Sequence, residues 1–176
     1  MMGRALLIIG FMATLGLIAA AVLGYALHGP TSPDMPRHVL VALASCLLLL
    51  FSHCWIMFYL IGTGKAIKEA VKEHGLEPRF VEETKRFKNV SYPWLMLAMA
   101  TAMATFILGG GAATGALPAW VHHALFYATV LSQGRALLLE KRVLVDNESL
   151  MAEIDRRLAV ATPAPAPSAA DGAARA

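Results

Sequence analysis

Three long stretches of the chain contain no Asp, Glu, Lys or Arg: between Arg4 and Asp34, between Arg37 and Lys65, and between Lys88 and Arg135. A helix rising 1.5 Å per residue crosses a hydrocarbon layer about 30 Å thick in about 20 residues, and each stretch is longer than that. The rest of the composition agrees, with 57% apolar residues and 15% charged ones, against about 25% charged in ordinary soluble domains. The pattern predicts an all-α, multi-pass membrane protein. Lipid cannot hydrogen-bond an exposed backbone, so helices are the expected spanning form, and the alternation of a membrane barrel is absent.

The first two stretches give one span each, over 5–27 and 38–61. The third is too long for one helix and is broken by Gly109, Gly110, Gly111, Gly115 and Pro118, so it divides into spans over 92–108 and 118–139 with an outer turn at the glycines. Four transmembrane helices are expected. Arg4, the apolar run and Ala19, Ala20 and Ala21 resemble a secretory signal, but the run continues past the small residues, and the first span is read as retained.

Lys and Arg set the orientation. The connection between spans two and three carries Lys65, Lys68, Lys72, Arg79, Lys85, Arg86 and Lys88, and Lys141, Arg142, Arg156 and Arg157 follow span four. The other two connections hold only Arg37. These counts place both termini and the central connection in the cytoplasm, in the inner membrane. The net charge of +3 is then a topology signal and requires no nucleic acid.

The central connection has its own organisation. Helix continues from span two to His74, Gly75 can end it, and Pro78 suits the first turn of a return arm. Phe80, Thr84 and Phe87 form a stripe able to face Ile67 and Val71, which predicts a helical hairpin over 65–88. Val143, Asn147, Leu150, Ile154 and Leu158 mark a further cytoplasmic helix over 140–160, able to pack on the hairpin or bind a partner chain. The domain division is therefore a bundle over 1–139 including the hairpin, the helix over 140–160, and a disordered tail over 161–176 rich in Ala and Pro.

Small residues recur every four positions in two spans, Gly16, Ala20 and Gly24 in the first and Ala124, Ala128, Ser132 and Ala136 in the fourth, and Ala98, Thr101, Ala102, Thr105 and Gly109 lie along one stripe of the third. Such stripes let membrane helices pack closely. No internal repeat stands out.

Histidines carry most of the remaining chemistry. Measured from Pro36 and Pro118, His38 and His122 share a depth, and His28 and His123 lie in the same outer zone. Imidazoles from different helices suit haem b or a transition metal, with His38 and His122 as the expected pair. The alternative is that these rings sit at headgroup level beside Trp120. His53 lies deeper, near Ser132 and Gln133. It is either an axial haem ligand, a proton carrier or a hydrogen-bond partner for a quinone, or a polar side chain bonded to Ser132 or Gln133 across the bundle. Cys46 and Cys54 are eight residues apart on one helix, too far for a disulfide between them.

No carboxylate is expected within a span, and Arg135 is read as an anchor that snorkels to the inner surface, with Glu140 about a turn and a half beyond. Hydrolase, metalloprotease and phosphate-loop motifs are missing, which points away from catalysis. The favoured reading is a non-catalytic subunit or scaffold of a larger membrane assembly, meeting lipid through its spans and a protein partner through the hairpin or the C-terminal helix. The alternative is a small electron-transfer protein holding haem b or a metal, with His38, His53, His122 and His123 as candidate ligands.

Overall fold

The computed structural model describes residues 2–27 and 31–161. His28 lies outside these residues, as does the expected tail beyond Ala161. Four helices follow one another: α1 (Met2–Ala26), α2 (Met35–His74), α3 (Arg79–Ala113) and α4 (Ala119–Ala161). Three of them, α1, α2 and α3, are long and apolar enough to cross a membrane. Their outward faces carry large apolar side chains such as Phe11, Leu40, Phe58 and Ile107, with Phe58 69% exposed. Contiguous exposure of this kind suits contact with lipid far better than contact with water.

Each helix end has a local cause. Asp34 precedes α2, with Pro36 in its first turn, where a missing N–H costs nothing. Gly75 ends α2 in the left-handed conformation at φ 63°, and the Leu76 N–H bonds back to the Val71 carbonyl. The outer turn lies later than expected. Gly109, Gly110 and Gly111 are helical, and α3 runs on to Ala113 before Gly115 turns the chain at φ 75°. Glycine is tolerated in a helix whose neighbours hold it, and the turn needed only the one glycine with positive φ.

The antiparallel neighbours pack as two pairs, α1 with α2 and α3 with α4, closed against each other. At one end, the loop end, lie the α1–α2 and α3–α4 connections. At the other, the hairpin end, α2, α3 and α4 extend beyond the start of α1. There Ile67, Phe80, Phe87, Val143, Leu150 and Ile154 are buried in one apolar cluster, with Val71 and Leu158 against it. The hairpin stripe thus meets its expected partners, and the last part of α4 packs on it as a third arm. It is no separate helix: α4 passes through residue 140 without a break. The small-residue stripe on α4 is also shorter than expected, since Ala124 is exposed while Thr129, Ser132 and Ala136 are buried.

Candidate functional site

Two groups of polar side chains occupy the bundle, one at the loop end and one midway. At the loop end, His38 projects from α2 and places Nδ1 2.8 Å from the Ala20 carbonyl of α1. His122 projects from α4 and places Nδ1 3.0 Å from the Thr105 carbonyl of α3. A carbonyl oxygen only accepts, so Nδ1 carries the hydrogen in both rings and each Nε2 presents a lone pair. Neither Nε2 has a hydrogen-bond partner among the described residues.

The two rings are built alike. Each packs against a glycine one turn beyond the carbonyl that holds it: a Cβ on Gly24 would come within 2.8 Å of His38 Cε1, and one on Gly109 within 2.8 Å of His122 Cε1. The α1–α2 and α3–α4 pairs therefore contribute equivalent clamps, a correspondence that no sequence repeat announced. The ring centroids lie 6.4 Å apart with their planes at 87°.

Both rings line a cavity of about 480 Å³, within the range of roughly 300–1,000 Å³ common to cofactor sites. Much of its wall is small: Ala20, Ala21, Gly24, Ala42, Ala102 and Gly109. Leu17, Phe106 and Phe126 supply the larger apolar surface, and Cys46 also lines it. His123 stands at the rim, its Nδ1 3.1 Å from the Tyr25 hydroxyl, which pairs in turn with Tyr127 at 2.9 Å.

Midway along the bundle, His53 is fully buried and both its nitrogens are engaged. Nε2 lies 2.7 Å from Gln133 Oε1, and Nδ1 lies 2.5 Å from Glu140 Oε1. The Gln133 amide donates to Thr14 Oγ1 at 3.1 Å, and Thr14 donates to the Gly10 carbonyl at 2.9 Å. In this hydrogen-bond orientation the Gln133 oxygen accepts from His53, so Nε2 carries a hydrogen. One proton is then shared between Nδ1 and the Glu140 carboxyl.

One sequence expectation changes here: Glu140 is no inner-surface residue but a fully buried carboxyl facing His53. Arg135 points outward and lies over the Trp94 ring, 5.7 Å from its centroid. His53 bonds across the bundle to Gln133, one of its two expected partners, while Ser132 bonds to Thr101 of α3 at 3.0 Å.

The charge gaps hide Glu140, because burial extends past the end of the third gap at Arg135. A signal was present: Gln133, Glu140 and Asn147 recur every seven residues, and all three are buried. Polar residues at heptad spacing on one seam mark a polar core.

No protein-family model matches the chain, and no curated protein or solved structure matches it significantly.

Proposed function

We propose that the chain is a membrane redox protein that holds haem b between His38 and His122 at the loop end of the bundle. One observation carries this: two imidazoles on different helices, each locked by a backbone carbonyl on Nδ1, keep their Nε2 lone pairs beside one apolar cavity. Metal–imidazole bonds are about 2.0–2.1 Å long, so two rings facing one iron place their centroids roughly 6 Å apart. The 6.4 Å separation matches that distance.

A bare transition metal fits less well. Among the described residues no three His, Cys, Asp or Glu side chains converge on one point. A porphyrin supplies four nitrogens itself and asks the protein only for axial ligands. Bound there, haem would supply one-electron transfer. The chain would position the imidazoles, exclude water with Leu17, Phe106 and Phe126, and leave room through its alanines and glycines. His123 sits at the rim, a position that supports contact with a polar edge of the group rather than ligation.

The membrane arrangement that accompanies this reading has four spans, with α4 as the fourth, in the inner membrane. Both termini and the hairpin end face the cytoplasm, as the Lys and Arg distribution favours. A scaffold role is the second reading. It is favoured by the three-helix extension, whose outer face presents Lys65, Lys68, Lys72 and Lys85 to a protein partner. Co-purification in mild detergent checks it, and a monomer with no associated chain counts against it.

The haem reading is tested on protein purified after expression with haem supplied. A Soret band is expected, lost on His38→Ala and on His122→Ala and retained in His53→Gln. Wild-type protein that shows no Soret band even after haem titration defeats the proposal.

A further inference from the structure

The buried pair of His53 and Glu140 has one atom still unexplained. Among the described residues Glu140 Oε2 has no hydrogen-bond partner, although the whole side chain is sealed from solvent. An unpaired charged oxygen in a low-dielectric interior is costly, and intramembrane carboxylates mark ion or proton traffic often enough to warrant a search for a route.

The surroundings of Oε2 supply one. It faces α1 at Gly10, where an ideal Cβ would lie 3.8 Å from Oε2 and 3.2 Å from Ser52 Oγ. Ser52 donates to the Leu6 carbonyl at 3.2 Å, leaving its oxygen lone pairs free to accept. Toward the hairpin end, a cleft of about 360 Å³ opens between α1 and α4, lined by Gly3, Arg4, Leu7, Leu144 and Glu148. Leu7 lies one turn from Gly10 and Leu144 one turn from Glu140. The cleft therefore ends about one helical turn short of Oε2 and opens among polar residues.

The structure assigns to Glu140 a proton-accepting role: Oε2 takes up a proton that enters through the α1–α4 cleft from the hairpin end. In the resting pair one proton is shared between Nδ1 and Oε1, and the pair is neutral. For the transfer a hydronium must cross the last turn from the inner end of the cleft to hydrogen-bond contact with Oε2. There it gives its proton to an Oε2 lone pair and leaves as water, and the product is an imidazolium donating to the carbonyl oxygen of a carboxylic acid, with net charge +1. No hydrogen bond in the network is broken. The groups facing this site are His53 from α2, Arg4 and Glu148 at the cleft, and Thr14 from α1; Tyr92 of α3 has its hydroxyl committed to the Met57 carbonyl at 2.8 Å.

The site is independent of the loop-end cavity, and infrared spectroscopy of the full chain tests it with or without haem. Stepwise acidification should produce a carboxylic acid C=O band that the Glu140→Gln protein lacks, and that band should shift on transfer to D2O. Leu7→Trp, which fills the cleft and leaves the pair untouched, should keep the band and slow its deuterium shift at least tenfold, about 1.4 kcal/mol of added barrier. If the wild-type protein shows no Glu140-dependent acid band at any pH where it stays folded, the pair is a fixed ionic lock and the proposal is wrong. An unchanged deuterium rate in Leu7→Trp overturns the cleft as the route.

Discussion

Glu140 and His53 show how one side chain's worth depends on its partner. Each is buried completely, and neither would be tolerated there alone. Removing one member of a buried pair costs about 3–5 kcal/mol, because the other is left uncompensated, whereas replacing both by apolar residues of similar volume is often close to neutral. His53→Leu is therefore expected to destabilise the bundle by about that amount, and His53→Leu with Glu140→Leu to recover most of it. Denaturation of the three proteins in one detergent measures the difference. A double variant as unstable as the single one would mean that the Gln133 and Thr14 bonds, not the charge pair, set the stability here.

The turn between α2 and α3 illustrates what sequence reading reaches at the scale of an element. Gly75, Pro78 and the stripe of Phe80, Thr84 and Phe87 were enough to place the hairpin, because each is a local signal acting within a few residues. The third arm was also visible, since Val143, Leu150 and Ile154 repeat along one face. The outer turn was misplaced because three consecutive glycines look like a break, whereas Gly109 is helical and packs against His122 of α4. At the candidate site His38 and His122 could be paired by depth alone. The Glu140 contact could not, because it joins residues 87 positions apart across helices whose rotation the sequence leaves open.

The same turn is tied to the end of α4 by charge. Arg157 donates to Glu77 at 2.6 Å and Arg79 bridges Glu77 and Glu153. The hydrogen bond from Arg157 holds the Glu77 carboxyl below the usual carboxylate range. Its stabilisation is then present above the ordinary carboxylate value, near about 4, and is lost as the pH falls through the lowered folded value. The groups are exposed, so the effect is small and screened by salt. Amide hydrogen exchange in the last turns of α4 should quicken on acidification, and high salt at neutral pH should produce part of the same change. Protection indifferent to both would assign the docking of this arm to Phe80, Leu150 and Ile154 alone.

At the scale of the whole molecule, the bundle keeps its two polar centres apart. The loop-end cavity is lined by all four helices, and the midway network draws on α1, α2 and α4. Between the centres lie Leu49 and Met99, both buried. The equivalent clamps on His38 and His122 also bear on how the chain matures. Each helical pair holds a complete half-site, with its own histidine, carbonyl and glycine. A ligand bridging the two histidines would then act as a fastener between the two halves, and its retention would report that the halves had docked in the correct register.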